Sequence, residues 1–354
     1  MPNGYFKTSI IKPFATNRTI VYFNMNFSSK SRLSQQFEDY LNKLSIPKEP
    51  ISLYDPVRYI LALGGKRVRP QLVLLGCGLP GGNPEKAFPA AAAIELLHNF
   101  TLIHDDIMDG ASSRRGKPTV HTRWDEATAI LSGDVMFTLA FEELYYYSEI
   151  NGFEGQVFPE LHRIFSEASR IVCEGQARDL EFETMLEVSH EQYLNMISQK
   201  TAALLKSSLK MGGVIAGANP EELQALGELG ESAGLAFQIQ DDLLDAIADP
   251  DTFGKRKGGD IYEGKKTFLT ILALERANPH DRSKILSIIQ NSECTESDVD
   301  YVVNMFYKLN VISDTQKNIN NLYIKGLQAL ETFNASIYKD AVIELLDKLK
   351  SRQI

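Results

Sequence analysis

The sequence predicts an all-α fold, and three observations carry that reading. Apolar residues recur at three- and four-residue intervals along most of the chain. Strand-like alternation is confined to Thr19–Phe23. No long Ser-, Pro- or Gly-rich linker divides the sequence. At 354 residues the expected architecture is one large helical domain over residues 25–354. Residues 1–24 are expected to be an unstructured leader or a mis-called start, because Met25 opens the first helical pattern, MNFSSKSRLSQQFEDYL. The leader carries Lys7, Lys12 and Arg18 among hydroxyl residues, with no acid before Glu38, so a transit peptide is the alternative.

Element by element, Leu33, Phe37, Tyr40, Leu41 and Leu44 mark a helix that ends at the Pro47–Pro50 break. Asp55-Pro56 reads as an N-cap followed by proline in the first turn, opening a helix that stops at Gly64-Gly65. Pro70 opens the next helix, and Leu79-Pro80-Gly81-Gly82 closes it. The small residues Ala90–Ala93, followed by Ile94, Leu96, Leu97 and Ile103, predict a helix in close contact with its neighbours. Further helices are expected over Trp124–Tyr147, Pro159–Leu180, Glu191–Met211 and Pro220–Ala246. Several shorter ones follow Gly264, the last over Ser336–Lys350.

A hydrophobic content of 44% with 23% charged residues fits an ordinary globular protein. The net charge of −9 argues against a nucleic-acid binder, and it requires that any anionic substrate be met by local basic patches. Cys77, Cys173 and Cys294 are odd in number and isolated, which suits small core residues in a reducing compartment, hence a cytoplasmic location. The histidines form no HxxxH pair, and no apolar run approaches the roughly 20 residues of a membrane span.

Two acidic clusters of one form stand at the ends of helical stretches: Asp105, Asp106 and Asp109 in LIHDDIMDG, and Asp241, Asp242 and Asp245 in QIQDDLLDA. In each, the first and last Asp share a helix face one turn apart, where like charges repel. Two solvated acidic faces are the bland alternative. Hard divalent cations relieve the repulsion, and Mg²⁺ takes only one or two protein carboxylates alongside waters and phosphate oxygens. The pair of clusters therefore predicts a cleft in which metal bridges carboxylates to a diphosphate.

Basic segments accompany them. Gly64-Gly65-Lys66-Arg67-Val68-Arg69-Pro70 joins two helices, with Lys66 and Arg69 spaced to reach one anion. His98 lies nearly on the face of Asp105, two turns earlier. After the first cluster comes Gly110–Pro118, a flexible loop with Arg114, Arg115 and Lys117; after the second come Lys255, Arg256 and Lys257, then Lys265 and Lys266. Arg grips phosphate oxygens bidentately and Lys acts as a point charge.

Together, DDIMD, DDLLD, GGKRVRP, RRGKPTVH, the Lys200-Thr201 pair in SQKTAALL and FQIQDDLLD resemble the trans-type isoprenyl diphosphate synthases, or polyprenyl synthetases, from about Asp55 to Lys266. The resemblance implies an all-α bundle of the isoprenoid synthase type with a central cavity, acting as a homodimer on isopentenyl diphosphate and an allylic diphosphate. Asp105, Asp109 and Asp241 would hold three Mg²⁺ on the allylic diphosphate, with Asp106, Asp242 and Asp245 in or near that shell. Arg114, Lys200, Lys255 and Lys265 would contact the same diphosphate, although the extra lysines of KRKGGDIYEGKK leave Lys265 and Lys266 as alternatives. Lys66, Arg69, His98 and Arg115 would form the isopentenyl diphosphate pocket. Lys200, Thr201 and Gln238 would stabilise the developing allylic cation. The implied chemistry is ionisation, condensation and proton loss to the released pyrophosphate.

Product length turns on side chains below Asp105. Thr101 lies on the Asp105 face, while Phe100 lies ~7.5 Å down the axis and is rotated off that face. The family pattern associates one aromatic residue at the Phe100 position with geranylgeranyl products, and aromatic residues at both positions with farnesyl products. Geranylgeranyl diphosphate is thus the expected product and farnesyl diphosphate the runner-up. A terpene cyclase would carry a different metal motif in place of Asp241–Asp245, and a non-catalytic synthase subunit would lack some of these residues.

Overall fold

The computed structural model describes residues 32–247, 257–291 and 293–350. Residues 1–24, with Thr19–Phe23, and Lys255 lie outside the described residues. Helices α1 (32–41), α2 (Ile51–Ala62), α3 (Val68–Gly78) and α4 (Phe88–Met108) follow in the expected order. Two starts differ: α3 begins at Val68, two residues before Pro70, and α2 begins before Asp55. Pro50, not Asp55, caps α2 in an extended conformation, and Pro56 sits inside the helix. Pro56 cannot donate to the Ser52 carbonyl, a loss that burial of Pro56, Val57, Ile60 and Leu61 against the core offsets. The Asp55 side chain instead accepts from Arg58 Nη1 at 2.9 Å.

The segment expected to be a flexible loop after α4 is an antiparallel hairpin, β1 (Ser113–Arg114) paired with β2 (Lys117–Pro118). Its two turn residues, Arg115 and Gly116, have φ of 54° and 73°. A two-residue turn with both central residues left-handed matches the twist of paired strands. The hairpin folds Arg114 back onto the end of α4.

Helix α5 (Glu126–Leu144) packs along α4, where Ala90, Ala91, Ala92 and Ala93 are fully buried. Helix α6 (Val157–Thr184) follows, then α7 (His190–Ile197). The latter does not run on as a regular helix: Ser198–Ala202 form a π turn before α8 (Ala203–Ala216) resumes. Two glycines make room for this widened turn. A Cβ on Gly175 of α6 would stand 2.3 Å from the Lys200 backbone nitrogen. One on Gly234 of α9 (Pro220–Ile247) would stand 2.5 Å from Ala202 Cα. Single π turns inside α-helices concentrate at functional sites.

Helices α10 (Phe268–Arg276), α11 (Pro279–Ile289), α12 (Glu296–Lys308), α13 (Val311–Ala329) and α14 (Ile337–Lys350) complete the described chain. The core has two apolar clusters. Phe37, Val57, Leu97, Met136 and Phe165 lie in the N-terminal cluster, and Leu226, Phe268, Phe306 and Tyr323 in the C-terminal one. Helix α3 gives Leu74 to the first and Leu75 to the second, and α8 divides Leu204 and Leu205 in the same way. Neighbouring residues, which point about 100° apart around a helix, thus weld the clusters together. Of the three cysteines only Cys77 is buried, whereas Cys173 is exposed, so the expectation of three core cysteines holds for one. No helix among the described residues is long and apolar enough to cross a membrane.

Candidate active site

The first acidic cluster sits on the last turn of α4. Asp106 is almost fully buried and takes a fork from Arg114, Nε to Oδ2 at 2.8 Å and Nη2 to Oδ1 at 2.6 Å. In this geometry Arg114 and Asp106 satisfy each other, the carboxylate accepting both bonds of the guanidinium fork. Asp105 is half-buried. Burial raises its carboxyl to about 6, Lys200 and Arg114 oppose the shift, and the charges of Asp109 and Asp106 add to it. Asp109 is exposed at the helix end.

The second cluster lies on the last turns of α9 and is differently dressed. Asp242 Oδ2 accepts from the Tyr193 hydroxyl and from the Phe268 N–H at 3.2 Å, and Oδ1 accepts from Gln238 Nε2 at 3.3 Å. Both oxygens thus accept hydrogen bonds from protein donors. Burial pushes its carboxyl up to about 7 against those hydrogen bonds. Asp245 Oδ2 accepts from the Asp260 N–H at 2.9 Å and its carbonyl from the Gly258 N–H at 2.7 Å, which ties the returning loop to α9. Asp241 is half-buried.

Each residue of the π turn from Ser198 to Thr201 is held from a neighbouring helix. Ser198 donates to Glu231, Gln199 accepts from Arg178, Lys200 pairs with Asp179, and Thr201 Oγ donates to Gln238 Oε1 at 3.1 Å. Lys200 is also close enough to Asp105 to pull its carboxyl down. Arg178, Asp179, Glu231 and Tyr193 were not singled out in the sequence. The one local signal for Asp179 is its place four residues after Gly175, on the face where α6 approaches the turn.

The basic residues gather around the turn before α3. Arg69 Nη1 donates to His98 Nε2 at 3.1 Å. Burial, then the charges of Arg69, Arg115, Arg114 and Arg67, hold His98 well below the usual imidazole range, so it is neutral and accepts. A Cβ on Gly65 would stand 2.7 Å from the Arg115 guanidinium, so the glycine turn and the hairpin meet. Arg69 Nε is buried without a hydrogen-bond partner among the described residues, the kind of orphaned donor an anion satisfies. Arg67, unassigned in the sequence, is a structural rivet: it is buried and bonds Glu95, Glu38 at 3.1 Å and the Leu61 carbonyl at 2.9 Å. Lys66 is exposed.

The polyprenyl synthetase family profile matches residues 50–306. The chain belongs to the polyprenyl synthetase family. It is 43% identical over 244 residues to a short chain isoprenyl diphosphate synthase of Methanothermobacter thermautotrophicus, covering 69% of this chain and 74% of the relative. It is 37% identical over 318 residues to a geranylgeranyl diphosphate synthase of Saccharolobus solfataricus, covering 89% and 91%. The crystal structure of a geranylgeranyl pyrophosphate synthetase from Pyrococcus horikoshii superposes with a TM-score of 0.87 at 37% identity, over 94% of this chain and 99% of that one. This polyprenyl synthetase is accordingly an enzyme, a trans-prenyltransferase with the all-α fold of its relatives.

Two further features of this polyprenyl synthetase bear on ambiguities in its sequence. Lys265 pairs with Glu263 at 2.5 Å, and the charges of Asp260, Glu263 and Asp109 raise its ammonium against the effect of burial. Lys266 instead donates to the Glu183 carbonyl at 3.3 Å. Lys265 is thus the lysine near the first cluster. Below Asp105, the Thr101 hydroxyl donates to the His98 carbonyl at 2.8 Å, and the Phe100 ring lies 5.3 Å from that of Phe137 on α5. Phe137 in turn stacks 6.3 Å from Phe165 of α6. The aromatic block therefore spans three helices, and Phe137, absent from the sequence argument, is its middle layer.

Proposed function

We propose that this chain is a Mg²⁺-dependent geranylgeranyl diphosphate synthase, condensing isopentenyl diphosphate with dimethylallyl, geranyl and farnesyl diphosphates and releasing pyrophosphate. The observation that carries the reading is the meeting of acidic and basic groups at one place. Asp105, half-buried beside Asp109, feels Lys200 and Arg114, and Lys265 feels Asp109. The names of its relatives support the product class.

Among the described residues no group of three or more His, Cys, Asp or Glu is gathered to hold an ion alone. That suits Mg²⁺, which completes its shell with water and phosphate oxygens. The carboxyl of Asp105, raised by burial and by its neighbours, is a site where a cation relieves strain. Asp105, Asp109 and Asp241 would hold three ions, which supply charge neutralisation of the departing diphosphate. Lys200 and Lys265 add fixed positive charge on the same side; Lys255 is assigned with them from the sequence. Arg114 and Arg115 border the opening, Arg114 after exchanging Asp106 for phosphate. Lys66, Arg69, neutral His98 and Arg115 would bind isopentenyl diphosphate. The oxygens of Thr201 and Gln238 face the allylic carbon as positive charge develops there, which is where fixed dipoles accelerate the reaction.

The described residues act as one domain, welded through α3 and α8. Ile130 and Leu131 near the start of α5 and Tyr145 and Tyr146 just beyond its end are exposed large hydrophobics, which supports a homodimer formed along that helix. The odd number of cysteines, spaced without a CxxC pair, supports a cytoplasmic, reducing location. The test is incubation of the full chain with labelled isopentenyl diphosphate and each allylic primer, with and without EDTA, followed by product sizing. A Mg²⁺-dependent C20 product is expected. No incorporation contradicts the activity, and a C15 endpoint replaces the product assignment with farnesyl diphosphate.

A further inference from the structure

The buried hydroxyl of Tyr193 has no place in the chemistry described so far. Tyr193 is 3% exposed on α7, and its ring lies 6.3 Å from that of Phe268. A phenylalanine would meet the same packing. What the hydroxyl adds is a donor to Asp242 Oδ2, shared with the Phe268 N–H that opens α10. Three helices, α7, α9 and α10, are thereby fixed on one carboxylate.

The consequence travels through the other oxygen. Asp242 Oδ1 accepts from Gln238 Nε2 at 3.3 Å, and Gln238 Oε1 accepts from Thr201 Oγ at 3.1 Å. A glutamine amide has two orientations of nearly equal shape, and only its partners decide between them. An acceptor at Oδ1 selects the orientation with the amide nitrogen toward Asp242 and the amide oxygen toward Thr201. The Thr201 proton is then committed to Gln238, leaving the threonine lone pairs pointing away from that bond. With Thr201 on a π turn clasped between Gly175 and Gly234, the hydroxyl has little other freedom.

We propose that Tyr193 is a positioning residue of this enzyme, acting through Asp242 to set the Gln238 amide and the Thr201 hydroxyl. This rests on the proposed prenyl transfer, in which those two oxygens face the allylic carbon. Misoriented dipoles are felt when charge develops, so the loss belongs in kcat.

The experiment compares the full-length wild type with Tyr193→Phe, Gln238→Ala and the double variant, measuring kcat, KM for both substrates and thermal melting. Tyr193→Phe is expected to lower kcat about tenfold while both KM values change less than about twofold, the scale of one lost hydrogen-bond alignment. In the Gln238→Ala background the same substitution is expected to cost nothing further, a coupling that simple loss of packing does not produce. Equal losses in both backgrounds, a change confined to KM, or an unchanged kcat overturns the positioning role. Should Tyr193→Phe melt below the assay temperature, Asp242→Asn is the second variant. It is close in shape, and the same non-additivity with Gln238→Ala supports the role while additivity overturns it. A wild type that transfers no prenyl group overturns the proposed function and this role together, whereas an active wild type with an indifferent Tyr193→Phe overturns only the role.

Discussion

The two aspartate clusters share a spelling and differ in use. At the end of α4, Asp109 is exposed, Asp105 is half-buried and raised to about 6, and Asp106 is engaged by a hairpin arginine that is itself partly exposed. At the end of α9, Asp242 is buried and anchored by three donors, and Asp245 holds the backbone of the following loop. The first cluster keeps Asp105 and Asp109 partly open and is held by one side chain, Arg114. The second is half scaffold. Equal spacing therefore does not give equal surroundings: Asp105 and Asp109 keep exposed surface, whereas Asp242 is turned into the core.

That contrast can be broken most visibly at the leading aspartates. Asp105→Ala and Asp241→Ala are each expected to lower turnover by at least about 10³-fold, the scale of removing metal-mediated charge stabilisation. Their helical circular dichroism should stay unchanged. Near-normal turnover in either variant removes the leading aspartates from the chemistry.

The middle aspartates should separate by stability. Asp242→Ala strands the Tyr193 hydroxyl, the Phe268 N–H and the Gln238 amide in the core, and is expected to cost about 3 kcal/mol, read by denaturant unfolding. Asp106→Ala leaves Arg114 able to turn to water and is expected to cost about 1 kcal/mol. Similar losses in both erase the scaffold distinction.

The raised carboxyl of Asp105 predicts a pH effect of known sign. Below about 6 a proton occupies the group, so at limiting Mg²⁺ kcat/KM is expected to fall about tenfold per pH unit on the acid side. Saturating Mg²⁺ competes with the proton and moves that limb to lower pH. In the metal-free protein the same upward shift stabilises the fold below the ordinary carboxyl value of 3.8, and this contribution is lost as pH rises through about 6. A metal-independent limb assigns the titration elsewhere.

The smallest effect concerns product length. Phe100→Ala is expected to add longer products only partly, because Phe137 backs it at 5.3 Å, while Phe100→Ala with Phe137→Ala should lengthen them further. Thr101→Phe should shorten the product. An unchanged distribution in all three puts the floor of the chain channel on other side chains.

Much of this was legible in the chain. Helix order followed from local periodicity and from Gly and Pro punctuation, and the acidic helix ends, GGKRVRP and RRGKPTVH pointed to the family because spacing and charge are local properties. What stayed hidden depends on tertiary approach. The π turn has no signature in SQKTA, since it exists because Gly175 and Gly234 of other helices let it bulge. The Asp106–Arg114 fork needed the hairpin, which the positive φ of Arg115, a residue not usual there, made hard to foresee. Tyr193 and Phe137 look like ordinary core aromatics until their contacts are known. Pro56 misled for a related reason: a proline near a helix start is a good local signal, and burial overrode it.

The most direct test titrates Mg²⁺ in the presence of pyrophosphate into the wild type, Asp105→Asn and Asp242→Asn, by calorimetry. The account predicts that Asp105→Asn weakens Mg²⁺–pyrophosphate binding by about 10²-fold or more, since a direct carboxylate ligand is lost. Asp242→Asn should bind within about threefold of wild type, because its oxygens hold Tyr193, Phe268 and Gln238 and not the metal. Equal weakening in the two variants would contradict the division of labour between the clusters.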